Sequence, residues 1–234
     1  MQKEIFEQPS VLGDSLSRFI DPIKKTINME SLKISWQEIN QIDLVACGTS
    51  FYACLTATYW FQKYTGISCH AELASEFRYK EAIFNKNKLT IFISQSGETA
   101  DSLAALRYIK SKKMRVLSIV NSKESSMARE SDEFILIAAG PEIGVASTKA
   151  LTAQLSILAC LTIIISKKRK LLSVNKEQDM TTSLIELPSK ITEILKNVEQ
   201  IKTIAKKIVN SSSAIFLGRG SCFPIAMEGA LKLK

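Results

Sequence analysis

Ser94-Gln95-Ser96-Gly97-Glu98-Thr99 places three side-chain hydroxyls and a glycine within six residues. The apolar run 89–93 precedes it and a helical pattern follows. The loop therefore sits at the carboxyl edge of a buried strand, where open parallel sheets bind ligands. The helix start offers unpaired N–H groups and a partial positive charge, both suited to phosphate. Ser94, Ser96 and Thr99 add hydroxyl donors, and Gly97 lets the backbone approach closely. The same residues also make ordinary helix caps, so this loop alone fits either role. Thr49 and Ser50 occupy the equivalent place after an earlier strand, and Ser147-Thr148 begin a third helix. Three such loops meeting at one crevice would take a polyhydroxylated anion, with phosphate on 94–99 and hydroxyls on the others. Neither the GxGxxG fingerprint nor a P-loop is present, and Gly218-Arg219-Gly220 is too short to imply a nucleotide.

The elements that must position these loops follow from periodicity. Residues 1–30 read as a helical segment: Pro9-Ser10 marks a start, and Leu12, Leu16, Phe19, Ile20 and Ile23 recur at helical spacing, with Pro22 a point of interruption. Short apolar strands are expected at 42–46, 67–71, 89–93, 115–120 and 134–137. Helices alternate with them: 51–64 closed by Gly66, one through Glu76 and Phe77, one from 100 to about 112, and one capped by Ser147 or Thr148 and running to about 165. Alternating strands and amphipathic helices predict an α/β fold with a parallel sheet covered on both faces. Residues 178–209 are helical with a break at Pro188. A strand at 214–217, the Gly218-Arg219-Gly220-Ser221 turn and a helix from about 224 then restart the grammar of residues 44–50. The expected organisation is a helical segment (1–30), a ligand-binding α/β domain (31–170), a helical linker (171–211) and the opening of a second copy (212–234).

Composition excludes several classes. At 234 residues with 46% apolar side chains, the chain can bury a core, and disorder is excluded. Five Cys without a CxxC pair argue against a disulfide framework or a zinc site, and the single His70 excludes a His-based metal cluster or triad within the chain. The net charge of +8 suits anionic small molecules as well as nucleic acid, but no helix-turn-helix, zinc spacing or aromatic stacking surface supports the latter. The N-terminus has no signal-peptide h-region. The stretch 151–165 is read as too short and too polar for a bilayer and better explained as a buried helix. His70 and Cys47 read as structural, and Lys167-Lys168-Arg169-Lys170 as a solvated helix end. Glu228 and Lys232 read as an i,i+4 salt link.

Cys47-Gly48-Thr49-Ser50, Ser94-Gln95-Ser96-Gly97-Glu98-Thr99-Ala100-Asp101 and Ala139-Gly140-Pro141-Glu142-Ile143-Gly144-Val145-Ala146-Ser147-Thr148-Lys149 closely resemble the sugar isomerase (SIS) domain of glutamine–fructose-6-phosphate aminotransferases. Phe6-Glu7-Gln8-Pro9 resembles the segment before that domain, and Gly218-Arg219-Gly220 with Glu228-Gly229-Ala230-Leu231-Lys232-Leu233-Lys234 the start of the second one. The resemblance implies a flavodoxin-like, three-layer αβα sandwich with a five-stranded parallel sheet. It implies a sugar phosphate, fructose 6-phosphate or glucosamine 6-phosphate, with phosphate on Ser50, Ser94, Gln95, Ser96 and Thr99 and sugar on Thr49, Val145 and Ser147. Lys232 matches the family's isomerisation lysine, whose partner glutamate would follow Lys234. The family's glutaminase domain, later histidine and C-terminal lysine have no counterpart in this sequence. The expectation is therefore a middle segment that binds substrate but does not alone complete the conversion of fructose 6-phosphate and glutamine to glucosamine 6-phosphate and glutamate. No metal and no cofactor are expected; a cytoplasmic homodimer is. The competing reading is a non-catalytic SIS-domain sugar-phosphate sensor.

Overall fold

Residues 42–46, 88–94 and 116–120 are buried without a break, the burial of strands covered on both faces. The computed structural model, which describes residues 1–80 and 85–234, assembles them into one parallel sheet. The chain enters through α1 (Gln2–Phe6) and α2 (Gln8–Ser17), with Pro9 in the first turn of α2, and a small antiparallel hairpin, β1 (Ile20–Asp21) and β2 (Thr26–Ile27). The α/β unit follows as β3 (Gln41–Ala46), α3 (Gly48–Thr65), β4 (Ser68–Leu73), α4 (Ala74–Phe77), β5 (Lys88–Ser94), α5 (Ala100–Ser111), β6 (Val116–Val120), α6 (Ser126–Glu130), β7 (Glu133–Leu136) and α7 (Lys149–Lys168). The sheet order is β4-β3-β5-β6-β7, all parallel.

Alternation along the strands builds two cores. Ile42 and Leu44 of β3 pack with α2, α3 and α7, while Val45 packs with Phe92, Phe77 and the apolar faces of α5 and α6. This is the three-layer αβα sandwich expected from the sequence. Gly66 ends α3 at φ +64, the left-handed cap that a residue with a Cβ adopts at a cost. The helix α7 spans 20 residues and by length and composition alone could cross a bilayer, which the sequence reading denied, but it is the buried helix that the same reading preferred. Of its most apolar stretch 78% is buried, with α2 and α3 as its main neighbours.

Two elements differ from expectation. The first helical segment ends at Ser17, and residues 20–27 form the hairpin instead. Asp21 Oδ1 accepts from the N–H groups of Ile23 (3.0 Å) and Lys24 (2.9 Å), a local turn that competes with helix, and Pro22 between them has no N–H to continue one. Residues 214–217 make no sheet ladder. They follow α8 (Val174–Ile185), α9 (Leu187–Leu195) and α10 (Val198–Ile208), and among the described residues no strand pairs with them. An extended segment without a neighbour has no ladder to join. The last element is α11 (Cys222–Leu233), which docks on α3.

Candidate functional site

The sheet order reverses at β3 and β5: the chain moves from β3 outward to β4, then returns to β5 on the other side of β3. The carboxyl ends of strands at such a reversal splay their following loops apart and leave a crevice. A cleft of about 520 Å3 opens there, within the range of about 300–1,000 Å3 usual for small-molecule sites. Thr49, Ser50, Ser94, Gln95, Ser96, Thr99, Val145, Ser147 and Lys232, the nine residues singled out in the sequence, all line it.

The 94–99 loop is held by its own side chains. Ser94 is buried, and its Oγ accepts from Gly97 N (3.0 Å) and lies 3.2 Å from Thr99 Oγ1. Ser96 Oγ accepts from Glu98 N at 3.1 Å. Gly97 has φ +67, and a Cβ there would lie 2.6 Å from Ser125 Cβ, so the loop needs glycine twice over. Glu98 turns away from the cleft and accepts from Ser126 N at 2.7 Å, a contact that holds its carboxyl below the usual range. Thr99 stands at the N-cap position of α5 but makes no side-chain cap bond, which leaves its hydroxyl facing the cleft. On the facing side Cys47 and Gly48 turn β3 into α3, whose first turn carries Thr49 and Ser50. Two helix N-termini thus point into one crevice, with positive ends that favour an anion.

The third wall is the loop before α7. The capping expected of Ser147 or Thr148 falls to Glu142. Its Oε1 accepts from Thr148 N (2.8 Å) and Ala150 N (3.3 Å), and its Oε2 from Ser147 Oγ (2.9 Å). A carboxylate serves the helix start better than a hydroxyl because it also meets the positive dipole end. Ser147 is thereby fixed at the cleft wall. Val145 is fully exposed beside it.

The fourth wall comes from α11. Lys232 Nζ donates to Thr49 Oγ1 (2.7 Å) and lies 2.9 Å from Glu228 Oε1, and Thr49 Oγ1 donates to that same carboxylate oxygen at 3.1 Å. Glu228 is 5% exposed, and its Oε2 has no hydrogen-bond partner. The salt link read from the i,i+4 spacing is therefore one edge of a triangle whose third corner lies 179 residues away on α3. Sequence spacing gave no sign of that corner, nor of Glu142 as a cap. Cys47 also lines the cleft, with Ser102 Oγ 3.9 Å from its sulfur. His70 lies outside the cleft, half-exposed, with Nδ1 3.8 Å from Asp43. Among the described residues no group of three His, Cys, Asp or Glu side chains is placed to hold a metal ion.

Comparison with known proteins agrees with this architecture. The SIS domain family profile matches residues 36–164. The whole chain aligns with glutamine–fructose-6-phosphate aminotransferases (isomerizing), at 44% identity with that of Bartonella henselae and 46% with that of Bradyrhizobium diazoefficiens. It spans 39% of the length of either relative. Among solved structures, the C-terminal domain of glucosamine-fructose-6-phosphate aminotransferase from Francisella tularensis superposes with a TM-score of 0.94 at 40% identity, covering all of this chain and 66% of that one. Tagatose-6-phosphate ketose/aldose isomerase from Escherichia coli shares the fold, with a TM-score of 0.71 at 18% identity over 99% of this chain and 62% of that one. By sequence over more than half its length and by fold over all of it, the chain belongs to the SIS domain family.

Proposed function

We propose that the cleft binds a sugar phosphate, fructose 6-phosphate or glucosamine 6-phosphate, as the substrate-binding portion of the isomerase domain of a glutamine–fructose-6-phosphate aminotransferase. In this reading Ser94, Gln95, Ser96, Thr99 and Ser50 take the phosphate, Thr49, Val145 and Ser147 meet the sugar, and Lys232 is the lysine that serves the ketose-to-aldose isomerisation. The observation that carries it is the meeting of two hydroxyl-rich helix N-termini across from a lysine within one cleft. A dianion suits the helix ends, and a polyol chain suits the hydroxyls between them. A sensor would need the phosphate loop alone; a lysine held at the sugar end by Thr49 and Glu228 favours the enzyme reading. The same reading assigns residues 31–170 to the binding domain, 171–211 to a linker and 212–234 to the opening of a second copy. It places the protein in the cytoplasm as a homodimer.

Calorimetric titration with fructose 6-phosphate tests the reading, with fructose and inorganic phosphate as controls. Saturable binding is expected for the sugar phosphate, weaker binding for phosphate and none for fructose. Ser96→Ala and Thr99→Ala should each weaken it about tenfold, since a hydrogen bond to a charged group is worth about 1.5 kcal/mol. A folded protein that takes up no fructose 6-phosphate overturns the reading.

A further inference from the structure

The loop 143–147 forms a wall of the cleft, yet burial does little to order it. Ile143 and Val145 are both exposed, so no apolar packing fixes their side chains in place. A loop that gains no burial must be ordered by hydrogen bonds, or its conformational entropy is left uncompensated. Those bonds come from two carboxylates. One is Glu142, next to the loop in sequence. The other is Glu4, on α1, which stands 139 residues away: its Oε1 accepts from Ile143 N at 2.6 Å and from Gly144 N at 3.0 Å.

We propose that Glu4 is a positioning residue of the cleft, holding the backbone at Ile143 and Gly144 so that Val145 and Ser147 face the sugar. The inference rests on the sugar-phosphate reading above for its ligand, but not for its geometry. Three further observations support it. Glu4 is 8% exposed although it lies on a five-residue helix at the start of the chain, so its carboxylate is enclosed by the loop it holds. A Cβ on Gly144 would meet Glu4 Oε2 at 2.5 Å, so residue 144 leaves space that the carboxylate fills. One turn further along, Glu7 lies 2.7 Å from Lys149 Nζ, and this lysine, the first residue of α7, is 3% exposed. The 143–149 segment is thus pinned at both ends by carboxylates from the same N-terminal stretch. The Gly144 and Ile143 N–H groups pull the Glu4 carboxyl down to about 2, so it is charged throughout the neutral range.

The experiment compares the full chain with Glu4→Ala, Glu4→Gln and Gly144→Ala. It reads fructose 6-phosphate and inorganic phosphate affinity by calorimetry, and the amide exchange of Ile143 and Gly144 by NMR. If release lets the loop adopt its binding geometry in about one molecule in ten, Glu4→Ala weakens fructose 6-phosphate about tenfold. Phosphate affinity should hold, because Ser94 to Thr99 make no contact with Glu4. Glu4→Gln, which keeps an acceptor oxygen, should recover most of the affinity and the slow exchange. Gly144→Ala, which expels the carboxylate from the loop side, should match Glu4→Ala, and the double variant should be no worse than either. Unchanged exchange at both amides in Glu4→Ala, an equal loss of phosphate and sugar-phosphate affinity, or failure of Glu4→Gln to recover overturns the proposal. Should the parent chain take up no fructose 6-phosphate, the sugar-phosphate reading fails, and amide exchange still decides for or against the clamp.

Discussion

Removing Lys232 and removing Glu228 break the same salt bridge but strand different charges. The Glu228 side chain is 6% exposed and the Lys232 side chain 28%. Lys232→Met leaves a buried carboxylate with Thr49 as its remaining hydrogen-bond donor, which should cost about 2–4 kcal/mol. Glu228→Gln leaves an ammonium that can turn to water, which should cost about 1 kcal/mol or less. Urea unfolding of the two variants measures the asymmetry, and equal losses would mean that the carboxylate is hydrated after all. Gly97 gives a second prediction at this scale. Gly97→Ala must hold a side chain at φ +67 and displace Ser125. The left-handed conformation costs about 1 kcal/mol and the overpacking about 1–3 kcal/mol more. Unfolding free energy should fall by the sum, and phosphate affinity with it, because the loop that moves is the one proposed above to take the phosphate. Residue types and their local spacing were legible here: the hydroxyl-glycine loop and the i,i+4 pair can be read from the chain. Thr49 as the third partner of that pair was not, because no local pattern links positions 179 residues apart.

At the scale of elements, the start of α7 is set by Glu142 rather than by a hydroxyl. Glu142→Ala should destabilise by about 1–2 kcal/mol, the usual worth of a helix cap, while Glu142→Gln keeps an acceptor and should lose less. Thermal melts of both separate the cap's hydrogen bonds from its charge. The hold of α1 on the same loop gives a pH signature. The Glu4 carboxyl is drawn from its ordinary value of 4.5 to about 2 in the folded chain. A depressed carboxyl contributes stability that is fully present above 4.5 and is lost as pH falls toward 2. The stability difference between the parent chain and Glu4→Gln should therefore be constant from neutral pH down to about 5 and shrink progressively below it. A difference that grows on acidification would contradict the assignment. The strands of the sheet were legible because continuous apolar runs flanked by helices have one stable arrangement. The hairpin at 20–27 was not: Phe19, Ile20 and Ile23 carry helical spacing, and the local signal that wins is the Asp21 side chain closing a turn around Pro22. Arg169 shows the same limit, since the basic run after α7 read as solvated. Its guanidinium instead donates to the carbonyls of Trp36 (3.0 Å) and Ile39 (2.9 Å), which ties the end of α7 to the segment before β3.

Across the whole molecule, apolar surface is distributed unevenly. The sheet and its covering helices bury theirs, whereas α10 has no buried residue at all. Ile201, Ile204 and Ile208 recur on α10 at spacings of three and four, so they form one stripe, and all three are exposed. Ile194 precedes them on α9, and Ile215 and Leu217 follow in the extended segment, exposed as well. An isolated helix of this length is marginal in water unless its apolar face is covered. Soluble monomers rarely leave contiguous apolar patches of more than a few hundred Å2 uncovered. Association through this face would order α10 and bury the stripe in one step, which is the physical basis for the homodimer proposed above. Phe216 limits what else could fill the face from within. Its ring already lies against Gly229 of α11, so close that a Cβ on residue 229 would meet it at 2.8 Å. Sedimentation equilibrium should therefore show concentration-dependent dimerisation, and Ile204→Lys with Ile208→Lys should shift the chain to monomer. The amides of α10 should exchange much faster in that variant than in the parent chain, while those of α7 stay protected. A parent chain that remains monomeric at high micromolar concentration would show that the stripe is not a self-association surface, and α10 would then be expected to exchange as fast in the parent as in the variant.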